Sequence, residues 1–186
     1  KHGDEFCVGF YQHMPHPICA NKKIDNNPQQ VCPVSDACTE LNGGYKEGAR
    51  SHKVCTESDP RLSAMSPQEI FDFADKNDMD IGLLSKMAYA NKGEVHWRLA
   101  KDFWVKSPEE LKLAKHHQSA LQKIADTDVP HVIDSDNGHP PFAIVKGKSA
   151  WEITIDMGYV AGTMFKGKSL WEHPRKVTKF ACISGC

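Results

Sequence analysis

The spacing of apolar residues changes twice along this chain and divides it into three parts. Residues 1–60 show little regular apolar pattern, residues 61–128 have a helical period, and residues 129–186 alternate between apolar and polar. A chain of 186 residues, 40% hydrophobic and 25% charged, can bury a sizeable core. We therefore predict an α+β fold in one compact unit, with a disulfide-tied N-terminal segment, a helical middle and a C-terminal antiparallel β-sheet.

Four helices are predicted in the middle part. Residues 66–69 (SPQE) and 107–110 (SPEE) are capping boxes with proline at the first helical position, and an apolar stripe follows each box. Asp80 can cap a third helix that ends near Gly93, and apolar residues across 95–104 predict a fourth.

Alternation in the last part predicts strands with one buried and one solvated face. The predicted strands are 130–133, 142–145, 150–157, 159–165 and 177–183, and the N-terminal segment adds one strand-like run at 6–11. We expect 142–145 and 150–157 to form one hairpin, and 159–165 and 170–180 to form the next.

One sequence occurs twice in this region. Residues 145–152 (VKGKSAWE) and 165–172 (FKGKSLWE) are identical at six of eight positions. Each Lys-Gly-Lys-Ser would form a hairpin turn in which glycine supplies a positive φ. In an up-and-down sheet both turns would emerge at the same end, with their lysines on one basic face.

The repeat has two interpretations. In the first, both copies are solvated turns and their tryptophans belong to the core. In the second, lysine charge and tryptophan stacking area form a paired site for an anion, a glycan or a partner protein. The candidate ligand-binding residues are Lys146, Lys148, Trp151, Lys166, Lys168 and Trp171.

The cysteines lie near the two ends of the chain: Cys7, Cys19, Cys32, Cys38, Cys55, Cys182 and Cys186. This clustering predicts three disulfides that use six of the seven cysteines, with at least one bond from the first 55 residues to Cys182 or Cys186. A chain that begins at Lys1 without an apolar leader fits a secretory protein whose signal peptide has been removed. We expect a secreted, extracellular protein without a membrane span.

Three motif matches lack the context that their chemistry requires. Residues 162–169 satisfy GxxxxGK[ST], but neither a strand–loop–helix unit nor the remaining chain length supports a phosphate loop. Residues 75–80 resemble a calcium loop, but Lys86 stands where a bidentate Glu belongs. Cys7, His13, His16 and Cys19 could bind zinc, but their spacing is not that of a zinc finger. We expect no metal and no cofactor.

Charge is distributed unevenly along a chain whose net charge is only −1. Residues 56–80 carry seven acids and two bases, and residues 146–179 carry seven bases and three acids. Because the net charge is close to zero, the overall electrostatics indicate neither a polyanion nor a membrane as partner. The two segments form a binding face or neutralise each other in the fold, and we favour neutralisation.

The favoured functional interpretation is a non-enzymatic binding protein, effector-like or toxin-like, that recognises a host or partner protein, a glycan or an anionic ligand. The alternative is a small secreted hydrolase, most plausibly a histidine-dependent nuclease. Its general acid and base would come from His131, His139, His173 and Glu152. Nucleic acid is a partner only under this alternative.

Overall fold

The computed structural model describes residues 13–23, 29–48 and 50–186, and for Arg50 and Trp171 it describes the backbone alone. The strand predicted at residues 6–11 lies outside this part of the chain, as does Cys7. The described residues form five α-helices and two β-sheets. The predicted α+β class is therefore confirmed.

The N-terminal sheet is small and antiparallel. Its strands are β1 (Ala20–Asn21), β2 (Gln30–Val34), β3 (Tyr45–Glu47) and β4 (Arg50–Val54), in the order β1-β2-β4-β3. A disulfide joins Cys19 to Cys55 across a sequence separation of 36 residues. Closing a loop of that length contributes about 4 kcal/mol in the chain-entropy model. The prediction of a disulfide-tied N-terminal segment is confirmed.

The predicted connection between the two ends of the chain is wrong. Cys182 forms a disulfide with Cys186, and the intervening Gly185 has a φ of 64° that lets the chain turn back. Cys32 and Cys38 are free thiols, so the expectation of six paired cysteines is also wrong. Burial raises the pKa of the Cys32 thiol, and nearby Asp59 raises it further.

Four helices lie in the middle of the chain: α1 (Pro67–Lys76), α2 (Ile81–Ala88), α3 (Trp97–Val105) and α4 (Lys115–Ala125). At the start of α1, the Glu69 amide donates to Ser66 Oγ at 3.3 Å and the Ser66 amide donates to Glu69 Oε2 at 2.7 Å. The Leu83 amide donates to Asp80 Oδ1 at 2.7 Å at the start of α2. Both predicted caps are confirmed.

The second predicted capping box is incomplete and does not start a helix, because the Glu110 amide donates to the Ser107 carbonyl and not to Ser107 Oγ. Ser107 Oγ donates to Glu110 Oε2 at 3.2 Å, but α4 begins only at Lys115. Leu111 and Leu113 are half-buried while their neighbours are exposed. This alternation of burial is that of an extended segment, in which every second side chain lies on the same side, and not that of a helix. The prediction that a helix follows residues 107–110 directly is therefore wrong.

The larger sheet has the order β5-β6-β7-β8-β9. Its strands are β5 (Ala90–Asn91), β6 (His131–Ile133), β7 (Phe142–Lys146), β8 (Ser149–Ile155) and β9 (Thr178–Ser184). β5 runs parallel to β6 and is connected to it through α3 and α4, whereas the other neighbours are antiparallel. The helical middle thus contributes a strand to the predicted antiparallel sheet.

Helices cover both faces of this sheet. On one face, a methyl group added at Gly82 of α2 would lie 3.4 Å from Phe142 and 3.6 Å from Ile153. On the other face, Trp97 of α3 donates from Nε1 to Glu152 at 2.9 Å. Phe142, Ile153 and Trp97 are almost completely buried. The sheet is therefore the middle of three layers and the centre of the core.

The strand predicted at 159–165 is wrong, because these residues belong to helix α5 (Met157–Phe165). Asp156 caps α5 by accepting a hydrogen bond from the Tyr159 amide at 3.1 Å. The chain leaves the sheet after Ile155 and returns at Thr178, where the Asp156 amide donates to Val177 O at 2.9 Å. We call residues 156–177 the α5 excursion. It replaces the predicted second hairpin.

Candidate binding cleft

The two copies of the repeat have different backbone structures. In the first copy, Gly147 has a φ of 57° in the turn between β7 and β8, as predicted. In the second copy, α5 ends at Phe165, Lys166 is the C-cap residue, and Gly167 follows with a φ of 64°. The amides of Gly167 and Lys168 donate to carbonyls of the last helical turn. The prediction that the second copy forms a hairpin turn is wrong.

The two copies also lie at opposite ends of the sheet. The first copy is at the start of β8, and the α5 excursion leaves from the end of β8, about 20 Å away at 3.3 Å per residue. His173 of the excursion contacts Asp78, and Thr178 at the start of β9 contacts Asp80. The predicted single basic face of four lysines is therefore wrong.

The side chains of the first copy contact the fold. Lys146 Nζ lies 3.6 Å from Asp128 Oδ1, and Lys148 Nζ lies 5.6 Å from the centre of the Phe103 ring. Trp151 is half-buried and its ring is parallel to that of Phe180.

Glu152 of the first copy is held by two side chains of α3. Its Oε1 accepts hydrogen bonds from Trp97 Nε1 at 2.9 Å and from Lys101 Nζ at 2.8 Å. Glu152 therefore connects the first copy to α3, whereas Trp151 is not among the buried core residues that the first interpretation of the repeat expects.

The lysines of the second copy line a cleft between α5 and the 3₁₀ turns that follow it. The cleft has a volume of about 350 Å³ and is lined by Gly158, Tyr159, Gly162, Thr163, Lys166, Lys168, Glu172 and His173. Lys166 and Lys168 are exposed, and neither forms an ion pair with any residue that the structure describes. The structure describes only the backbone of Trp171, in the turn Leu170–Glu172.

Asp75 and Asp78 contact two other basic side chains of the excursion. Arg175 Nη1 lies 2.9 Å from Asp75 Oδ1, and His173 Nδ1 lies 3.2 Å from Asp78 Oδ2. Lys179, in β9 just beyond the excursion, pairs with a different acid: its Nζ lies 3.2 Å from Asp156 Oδ2. Among the described residues, pairing between the acidic segment 56–80 and the basic segment 146–179 is thus limited to Arg175 and His173.

These pairs have two consequences for the cleft. They attach the excursion to the end of α1 and leave Lys166 and Lys168 as cations beside one carboxylate, that of Glu172.

The hydrogen bond from the Tyr159 amide, with Lys179 beside it, holds the pKa of Asp156 below its usual range.

The four candidate nuclease residues do not meet in this cleft. His173 lines it, whereas His131 lies opposite Val145 near the first copy of the repeat. His131 Nε2 is 3.3 Å from Thr127 Oγ1, and burial lowers its pKa, with a further contribution from Lys92. His139 is exposed in the loop between β6 and β7.

The structure places the metal candidates in other roles. Cys19 and Cys55 lie with Asp59 in one cluster of possible ligands, but their sulfurs are joined in the disulfide. Asp75 and Asp78 contact bases, and Asp80 caps α2. In residues 162–169 a helix stands where a phosphate loop needs a strand.

Sequence reasoning named Lys166, Lys168 and His173 but missed Tyr159 and Thr163, because it placed them on a strand. The signal for a helix was present in Asp156, an N-cap residue, and in two glycines that weaken a strand, Gly158 and Gly162. No helix among the described residues is long and apolar enough to cross a membrane. No family model, no curated protein and no solved structure matches this chain.

Proposed function

We propose that this chain is a secreted, disulfide-stabilised, non-enzymatic binding protein that takes an anionic group of its ligand or partner into the cleft beside α5. The observation that carries the proposal is the pair Lys166 and Lys168, which line a concave site and form no ion pair with any described residue. Lysine ammonium groups are strong donors to phosphate, sulfate and carboxylate oxygens.

The surroundings of the two lysines support an anionic ligand. A cleft walled by protein focuses the field of its charges, so a net positive lining raises the local concentration of anions. The lining also contains the tyrosine and threonine side chains of Tyr159 and Thr163, which offer hydroxyl groups for orientation. Gly158 and Gly162 have no side chains, so only backbone atoms of α5 line the cleft at these two positions.

The same cleft gives less support to hydrolysis. General acid–base catalysis needs two groups within reach of one substrate atom, about 3 Å or one water away. Of the four candidate catalytic residues only His173 lines the cleft, and its Nδ1 already lies beside Asp78. Disulfides are compatible with an extracellular protein, which supports the secreted part of the proposal.

Calorimetric titration with inorganic pyrophosphate tests the proposal. We expect wild-type protein to bind this probe and Lys166→Ala/Lys168→Ala to bind it at least about tenfold more weakly, because two nearby charges are lost. The matched control is Lys146→Ala/Lys148→Ala, which removes the same two residues from the first copy and should leave the affinity within about twofold.

Two results would contradict the proposal. One is the absence of pyrophosphate binding by the folded wild-type protein. The other is an equal loss of affinity in the two lysine variants, which would show that only overall charge matters.

A further inference from the structure

We infer that the partner which presents the anionic group is an anionic phospholipid surface, against which the outer face of α5 docks. This inference rests on the proposed function, because the lipid headgroup would be the anion beside Lys166 and Lys168. It adds an apolar contact that a soluble anion does not make.

The outer face of α5 is apolar where a surface helix is normally polar. At 100° per residue, its exposed residues span an arc of about 160°. They are Met157, Gly158, Ala161, Gly162, Met164 and Phe165. Tyr159 and Val160 are half-buried and Thr163 is buried, so the hydroxyl-bearing residues, which line the cleft, lie off the exposed arc.

Three large side chains on this arc are mostly in water. The exposed fraction is 94% for Phe165, 66% for Met157 and 65% for Met164. No other large hydrophobic residue in the described chain is as exposed as these three. A contiguous apolar patch of this kind marks a surface that is covered when the protein functions.

Two lysines beside the apolar patch favour an anionic surface as its partner. Lys166 follows Phe165 directly, and Lys168 lies one residue beyond Gly167. Helices that lie in a membrane interface combine apolar side chains with neighbouring lysines. Each lysine close to an anionic leaflet raises the binding constant roughly fivefold. The order of Phe165 and Lys166 would place a ring in the acyl region and an ammonium group at the headgroups.

The composition of the arc favours lipid over a protein partner. Protein interfaces carry about one hydrogen bond per 100–200 Å². The exposed residues of the arc are Met, Ala, Phe and Gly, and none of them has a side-chain hydrogen-bond donor.

The size of the patch favours lipid for a second reason. α5 has nine residues, so it is about 13.5 Å long and about 10 Å wide. That footprint is far below the roughly 800 Å² per partner of a stable protein interface. Hydrocarbon needs neither hydrogen bonds nor a large complementary surface.

Vesicle flotation of the full chain tests the inference. We expect binding to phosphatidylcholine vesicles that contain phosphatidylserine and weaker binding, by about tenfold or more, to phosphatidylcholine alone. Met164→Ser/Phe165→Ser should weaken binding to the anionic vesicles at least about tenfold, because two apolar side chains no longer leave water. It should not change the affinity for pyrophosphate.

The chain offers a matched control in two exposed valines away from α5. Val105 and Val129 are 50% and 57% exposed. Val105→Ser/Val129→Ser should therefore bind anionic vesicles as the wild type does. If the α5 double variant unfolds, Phe165→Ser alone makes the same test.

The outcomes separate the two proposals. Pyrophosphate binding without vesicle binding would overturn the lipid inference and leave the proposed function intact, and failure of both would overturn both. Vesicle binding that Met164→Ser/Phe165→Ser does not weaken would also overturn the inference. So would sedimentation that shows a dimer dependent on Phe165 and no vesicle binding, because the partner would then be a second copy of this chain.

Discussion

The two copies of the repeat share six of eight residues and differ in almost every contact. The first copy connects two strands, and its Glu152 is held by Trp97 and Lys101. The second copy ends a helix, and its Lys166 and Lys168 are solvent-exposed in a cleft. The same sequence therefore contributes buried contacts in one place and leaves two lysines exposed beside a cleft in the other.

Flanking residues account for the difference. After the first copy, apolar residues alternate through Ile153 and Ile155, so the segment can pair with β7 and β9. The second copy is preceded by a helix that Asp156 caps and is followed by Pro174, which cannot donate to a strand ladder. Glycine accepts a positive φ in either setting, at Gly147 and at Gly167.

The largest difference between the copies is expected at their glutamates. Glu152→Ala should lower the free energy of unfolding by about 2 kcal/mol, because the Trp97 N–H loses its acceptor and Lys101 its carboxylate. The matched change in the exposed second copy, Glu172→Ala, should stay within about 0.5 kcal/mol. Urea unfolding of the two variants measures both values. Equal losses would contradict the structural role assigned to the first copy.

A smaller effect is expected from Asp156→Ala, which removes the cap of α5. The loss of stability should be less than that of Glu152→Ala and should be accompanied by weaker pyrophosphate binding, because α5 forms one wall of the cleft. Asp156→Asn keeps an oxygen acceptor for the Tyr159 amide and is the control. It should retain most of the pyrophosphate affinity.

The pH dependence of the Asp156 contribution has a definite sign. The folded-state pKa of this carboxyl is lowered, first by the Tyr159 amide and then by Lys179. Its stabilisation is therefore present above the unfolded pKa of about 3.9 and is lost as pH falls through the folded value. The difference between wild type and Asp156→Ala should shrink in acid. An unchanged difference would show that Asp156 acts without its charge.

Local signals in the sequence predicted much of the fold. The capping box at Ser66 and the cap at Asp80 act within one helical turn, and the structure has both. The apolar run that gave β7 and the alternation that gave β8 are likewise short-range patterns, and so is the glycine turn between the two strands.

Long-range contacts could not be predicted in this way. The parallel pairing of β5 with β6 spans about forty residues and depends on how α3 and α4 pack. The disulfide between Cys182 and Cys186 could not be chosen from composition, because seven cysteines allow many pairings. For the cleft, the sequence identified Lys166 and Lys168 but not the helix against which they lie.

The central claim is that the second copy binds an anion and the first does not. The most direct test is one NMR titration of the wild-type protein with pyrophosphate, in which the amide signals of Gly147 and Gly167 are followed together. We predict that the Gly167 signal shifts and saturates with the calorimetric affinity, while the Gly147 signal stays in place. A shift of Gly147 equal to that of Gly167, or no shift of Gly167, would contradict the claim.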